Sequence, residues 1–232
     1  VLSVAPEAAP PALLPGSPAT PTGTMTPADG LAAIAAAARR RGTRIISDEI
    51  YHGLSYVEPA HSMLEFDPDA VIINSFSKYY SMAGWRLGWI VAPRGAPELL
   101  RRYNGNLFRT PPTLAQRAAL VAMDEIDVLE SYRECYARNR AVLLDALPQM
   151  GLARIAPPDG AFYIWADVSA FTNDSMDFCR RLLLDTGVTI APGVDFDPVD
   201  GHRFIRFSFA VSEAETREAV ERFGNWLGRQ PR

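Results

Sequence analysis

Two short polar runs stand directly behind apolar, strand-like segments. Asp48, Glu49 and Tyr51 follow Arg44-Ile45-Ile46-Ser47, and Ser75, Ser77 and Lys78 follow Val71-Ile72-Ile73-Asn74. Arg86 comes eight residues after Lys78, past Ser81-Met82-Ala83-Gly84. In open α/β sheets, ligands gather at the carboxyl ends of strands, so these residues are expected to face one crevice. Hydroxyls, loop amides and a guanidinium fork suit a phosphate. A carboxylate suits a cationic ring nitrogen, and a lysine amine suits a carbonyl that forms an imine. Composition singles out that lysine. Of the 23 Lys and Arg residues, 22 are Arg and only Lys78 is Lys. Arg stays protonated in proteins, whereas a lysine amine can lose its proton and act as a nucleophile.

The elements that must position these residues can be read from the pattern. Prolines are front-loaded: Pro6, Pro10, Pro11, Pro15, Pro18, Pro21 and Pro27 make the first 27 residues an extended lead-in, unable to form a regular helix or a central strand. Thr26-Pro27-Ala28-Asp29 predicts a helix start capped by Thr26, running to Arg41 and stopped by Gly42. Strands are predicted over 44–47, 71–74 and 87–91, and helices over 97–103, 112–123 and 126–147, the last broken from Pro148 to Gly151. Alternating patterns at 161–167 and 203–209 predict two further strands, and helices are expected over 175–186 and 212–227. Strands interleaved with helices indicate an α/β class with a mostly parallel sheet in the first part and a smaller α+β layer in the second. The expected boundary falls between residues 124 and 125.

An imine-forming amine, phosphate ligands and a carboxylate for a pyridinium nitrogen are together what pyridoxal 5'-phosphate requires. The motifs also resemble those of the fold-type I, class I and II aminotransferases. The resemblance lies in Ser47-Asp48-Glu49-Ile50-Tyr51, Ser75-Phe76-Ser77-Lys78 and Gly84-Trp85-Arg86-Leu87-Gly88. It continues through Pro18-Ala19-Thr20-Pro21-Thr22-Gly23, Pro158-Asp159-Gly160-Ala161-Phe162-Tyr163, and Pro192-Gly193 with Arg206. It implies a pyridoxal-phosphate-dependent transferase fold that is incomplete in this chain: a partial large domain over 1–124 and a small carboxyl-terminal domain over 125–232. It implies amino transfer between an amino acid and a 2-oxo acid. Lys78 would be the Schiff-base lysine and proton shuttle, Asp48 the partner of the pyridine nitrogen, and Tyr51 the donor to the phenolic oxygen. Ser75, Ser77 and Arg86 would hold the phosphate, and Arg206 the α-carboxylate. Thr20 stands where the family usually has Asn, which shares the phenolic oxygen; a threonine hydroxyl is shorter and lacks the amide. Family members also carry a substantial preceding segment with a glycine phosphate loop and a ring-stacking aromatic. Without it, exposed sheet edges and apolar faces are expected. The resemblance further implies a homodimer in the full-length form.

Other classes fit less well. At 48% hydrophobic and 22% charged the chain has a globular composition. A net charge of -4 argues against nucleic acid as a partner, and no apolar run reaches the ~20 residues of a membrane span. The first residues lack a basic n-region, and Cys135 and Cys179 make neither a disulfide framework nor a metal site, so a reducing cytoplasm is expected. His52, His61 and His202 have no metal-like spacing; His52 is read as packing beside the site. Ser75-x-x-Lys78 also fits the serine-nucleophile motif of penicillin-recognising enzymes, but those need a second lysine that the chain lacks. A carbon–sulfur lyase on the same scaffold and a catalytically silent fragment acting as an interaction module are the alternatives.

Overall fold

A computed structural model describes residues 10–107 and 109–230. The first nine residues of the proline-rich lead-in lie outside it. The chain divides into two compact units. The first comprises the residues up to Pro18 together with Met25–Leu129, and the second Ala19–Thr24 together with Glu130 onward.

In the first unit, β1 (Ala12–Leu13), β2 (Arg44–Asp48), β3 (Val71–Ser75) and β4 (Gly88–Val91) form one sheet in that order. β1, β2 and β3 run parallel, and β4 returns antiparallel to β3. The lead-in thus contributes a strand, but only at an edge. The carbonyls of Pro11 and Pro15 accept from the N–H groups of Arg44 (3.1 Å) and Asp48 (2.8 Å). Proline lacks an N–H yet keeps its carbonyl, so it serves an edge position that only accepts.

Helix α1 (Ala28–Arg41) crosses from β1 to β2 and buries Leu31, Ala35 and Ala38. Their spacing of four and three residues puts them on one helix face. Together with Ile45, Met63, Ala70 and Ile72 they form the core of this unit. Gly42 ends the helix in the left-handed region (φ 65) and donates to the Ala38 and Arg39 carbonyls. The expected Thr26 cap is not formed. The helix begins after Pro27 with no side-chain cap, and the Thr26 N–H is donated to Ser17 Oγ at 3.0 Å.

Beyond β4, the helices α2 (Ala96–Leu107) and α3 (Thr113–Ala122) lead into α4 (Ile126–Gln149). α4 ends within the expected break from Pro148 to Gly151. Pro148 falls in the last turn, and the chain leaves the helix at Gly151 (φ 97). Every residue of β4 is exposed and α2 buries none. Trp89, Ile90, Leu100, Tyr103 and Leu107 line a groove of about 660 Å³ between them. The expected apolar face is therefore present, on the edge strand and its neighbouring helix.

In the second unit β5 (Tyr163–Asp167), β7 (Phe204–Ser208) and β6 (Ala191–Pro192) form an antiparallel sheet, with β7 in the centre. β5 is buried along its whole length. Helix α5 (Ser175–Thr186) buries Ser175, Phe178, Cys179 and Leu182, one face again, and its Asp174 cap accepts from the Asp177 N–H at 3.0 Å. Helix α6 (Glu213–Leu227) starts with a reciprocal capping box between Ser212 and Glu215 and buries Phe223, Trp226 and Leu227. Burying a Leu or Phe side chain fully contributes about 1.5–3 kcal/mol, so the fully buried Phe178, Leu182, Ile205, Phe209 and Ile164 dominate this unit. Among the described residues no helix is long and apolar enough to cross a membrane.

Burial, and after it the nearby Asp195 charge, push the Cys179 thiol up to about 12 from an ordinary value of 9.0. A folded value above the unfolded one adds stability that is complete below the unfolded value and is lost as pH rises from there towards the folded value. Thiol titration of the native chain at pH 8 is therefore expected to modify the half-buried Cys135 and spare Cys179 until denaturant is added. Urea stability should also fall between pH 9 and pH 11 in the native chain more than in Cys179→Ala. Rapid native modification of Cys179 would contradict this account.

For the exposed face, the combined substitutions Leu99→Glu, Tyr103→Lys and Leu107→Glu are expected to lower binding of a hydrophobic dye by about half. All three positions are exposed on α2, so the far-ultraviolet circular dichroism should stay unchanged.

Candidate active site

The parallel pairing of β2 and β3 sets the first unit's geometry. Ser47 lies opposite Ile72 and Asp48 opposite Ile73, so both strands end at the same edge of the sheet. The chain then turns. Glu49 N–H donates to the Ile73 carbonyl at 2.9 Å, extending the ladder by one residue, and His52 N–H closes back on the Glu49 carbonyl at 3.0 Å. Asp48 Oδ1 accepts from the Ile50 N–H at 3.3 Å. Tyr51, on this turn, is buried at 4% exposure.

Next door, β3 ends at Ser75. Its hydroxyl donates to the Leu87 carbonyl at 3.2 Å and accepts from the Ser77 hydroxyl at 2.9 Å and the Ser77 N–H at 3.0 Å. The same Leu87 carbonyl takes the Phe76 N–H at 3.1 Å. The start of β4 is thereby held against the Ser75–Ser77 loop. A Cβ on Gly88 would come within 2.6 Å of the Asn74 carbonyl oxygen, so only glycine permits this approach. Arg86, immediately before Leu87, adopts the left-handed region (φ 53), and its exposed guanidinium donates to the Ala83 carbonyl at 3.0 Å. Lys78 Nζ lies 5.5 Å from the centroid of the Tyr51 ring. Asp48, Tyr51, Ser75, Ser77, Lys78 and Arg86 thus share one sheet edge.

Thr20 and Arg206 belong to the second unit. Thr20 is exposed on a turn closed by the Ala19 and Gly23 main chains, with Gly23 O accepting from Gly160 N–H at 2.8 Å. Arg206 projects from β7. Its guanidinium carbon is 4.1 Å from the ring centroids of both Tyr163 and Phe196, and its Nε is buried without a hydrogen-bond partner among the described residues. Leaving a buried donor unpaired costs about 1–3 kcal/mol. A guanidinium flanked by two ring faces keeps only its N–H edge for an acceptor, and a carboxylate matches that edge with two parallel bonds.

Comparison with known proteins places this geometry. The family model described as aminotransferase class I and II matches residues 2–223. The chain belongs to this family. It is 47% identical over 218 residues to a valine–pyruvate aminotransferase of Mycobacterium tuberculosis, covering 92% of this chain and 56% of that protein. It is 35% identical to an aspartate/prephenate aminotransferase of Thermus thermophilus, covering 94% and 57%. A crystal structure of an aminotransferase from Mycobacterium tuberculosis superposes with a TM-score of 0.91 at 46% identity, covering 95% of this chain and 58% of that one. The chain spans a little over half the length of these relatives.

Class I and II aminotransferases use pyridoxal 5'-phosphate, and the donor set in this chain fits that group. The first unit offers an amine, a carboxylate, a phenol and two linked hydroxyls at one edge, and the second offers a guanidinium whose buried Nε is unpaired among the described residues.

Sequence reading quoted Glu49 and Tyr163 within motifs without giving either a role, and passed over Phe196. Tyr163 and Phe196 flank Arg206. Tyr163 was recoverable, because Trp165 pairs with Arg206 and Tyr163 is its same-face neighbour two residues away. Phe196 arrives from a separate loop after β6 and leaves no local signal. Glu49, grouped with Asp48 as a polar turn, is in fact buried at 3% exposure.

The turn after Tyr51 also depends on a glycine. Gly53 has φ 91, and a Cβ there would lie 2.5 Å from the ring of Tyr79, the residue after Lys78. Gly53→Ala is expected to cost about 1–3 kcal/mol, from backbone strain and displacement of the Tyr79 ring, in urea denaturation. A change below about 0.5 kcal/mol would show that the turn has room to relax.

Proposed function

We propose that this chain carries the lysine-bearing part of a pyridoxal-phosphate-dependent aminotransferase that moves an amino group between an amino acid and a 2-oxo acid. The observation that supports this most is the position of its only lysine. Lys78 lies beside the Tyr51 ring on the loop whose two serine hydroxyls are already joined.

Pyridoxal phosphate, when bound, supplies an aldehyde and a ring that takes up electrons from the substrate. In this reading Lys78 Nζ would be the group that holds the cofactor and would move a proton to and from the substrate α-carbon. Asp48 keeps the ring nitrogen protonated. Tyr51 donates to the phenolic oxygen, with the Thr20 hydroxyl as a second, shorter contact. Ser75, Ser77 and Arg86 take the phosphate oxygens. Arg206, flanked by Tyr163 and Phe196, grips the α-carboxylate common to amino acids and 2-oxo acids. The named relatives suggest valine and pyruvate as the first substrate pair to test. We further propose a cytoplasmic enzyme that works as a homodimer, as the family does.

Titration of the chain with pyridoxal phosphate is expected to give an absorbance band near the visible edge, lost in Lys78→Ala. With valine and pyruvate, alanine and 2-oxoisovalerate should form in equal amounts, and Lys78→Ala should lower the rate by ~10²–10⁴. No lysine-dependent band in a folded chain would refute the proposal.

A further inference from the structure

Glu49 presents a problem that the proposed reaction does not solve. It follows Ile45 and Ser47 on the buried face of β2, and Asp48 lies on the other face. A buried carboxylate is costly unless its lone pairs are satisfied. Here Oε1 accepts from the Met63 N–H at 2.8 Å and the Ser62 hydroxyl at 3.1 Å, and Oε2 faces His52 Nδ1 at 3.5 Å. The Glu49 side chain therefore docks the start of the short helical turn Met63–Glu65 onto the end of β2.

His52 carries the connection further. Its Nε2 lies 3.1 Å from the Ser17 carbonyl oxygen, and a carbonyl only accepts, so Nε2 is the donor. Ser17 is itself buried at 7% exposure, and its N–H donates to the Asp48 carbonyl at 3.3 Å. The contacts close a circuit. Asp48 is bonded covalently to Glu49, Glu49 faces His52 across 3.5 Å as an ion pair when both ring nitrogens carry protons, His52 donates to Ser17, and Ser17 returns to Asp48. Asp48 N–H is pinned as well, to the Pro15 carbonyl. Tyr51 lies inside this circuit, one residue before His52.

We infer that Glu49 and His52 are positioning residues that lock the Asp48–Tyr51 turn against the strand-like segment ending at Ser17. They set how firmly the turn offers its carboxylate and phenol to a bound ring. The functional half of this inference rests on the pyridoxal phosphate reading; the mechanical half does not.

Two variants test it. His52→Leu removes both ring contacts, while His52→Gln keeps an amide donor that can reach the Ser17 carbonyl. Hydrogen exchange, read without cofactor, is expected to speed up about tenfold at the Ser17 and Asp48 amides in His52→Leu. It should stay near native in His52→Gln, with the Phe76 amide on Leu87 unchanged in both. Titration with pyridoxal phosphate, read by the Lys78-dependent band, should show affinity about tenfold weaker in His52→Leu and restored in His52→Gln.

Unchanged exchange in His52→Leu would overturn the clamp. Equal damage in both variants would show that ring bulk, not the hydrogen bond, holds the turn. Faster exchange with unchanged affinity would overturn the positioning role. Absence of any lysine-dependent band in the native chain would instead defeat the cofactor reading, and exchange alone would then decide the clamp.

Discussion

The parallel ladder between β2 and β3 is the constraint on which the candidate site depends. Two strands that run the same way must end at the same edge, and whatever follows each strand is delivered to one place. The register puts Asp48 opposite Ile73, so the turn bearing Tyr51 and the loop bearing Ser75, Ser77 and Lys78 emerge side by side. Antiparallel β4 then brings the Leu87 carbonyl back against Ser75, with Arg86 next in the chain. A one-residue slip would turn Glu49 outward and Asp48 into the core. The apolar contacts of Ile45 and Ile72 with α1 set against that slip, so burial on one face fixes the chemistry on the other.

The second unit solves a different problem, that of holding a single guanidinium still. Arg206 comes from the central strand of an antiparallel sheet, with β5 on one side and β6 on the other. Strand pairing fixes its backbone, and the Tyr163 and Phe196 rings fix the plane of its head group. Arg rather than Lys is required for such a site, because only the planar fork both stacks on rings and offers parallel donors.

Legibility in the sequence followed locality. The 175–186 helix was read to its ends because its start and stop are both local, a capping Asp174 and Gly187 in the left-handed region. The strand expected over 44–47, which extends to Asp48, is legible for the same reason. Thr26 shows the opposite case: its type and place signal a cap, but a residue nine positions earlier takes its N–H. β1 is obscured by the prolines around it, since Pro10, Pro11 and Pro15 leave no alternating pattern about Ala12–Leu13. Glu49 is expected from its place beside Asp48 to face the same crevice, because the sequence does not say which face beyond the strand's end is dry. Its burial is decided by Ser62 and Met63, brought in from beyond the turn.

The distribution of exposed apolar groups tells two kinds of surface apart. Single exposed apolar residues are ordinary in folded proteins. On β4 and α2 they are instead continuous, and they coincide with a strand whose outer hydrogen-bonding edge has no neighbour among the described residues. A strand exposed on its edge and both faces is unusual for a stable sheet, which normally blunts its edges with charge, proline or cover. β4 carries none of these within Gly88-Trp89-Ile90-Val91. The residue just before this strand, Leu87, is the one whose carbonyl accepts from Ser75 and Phe76.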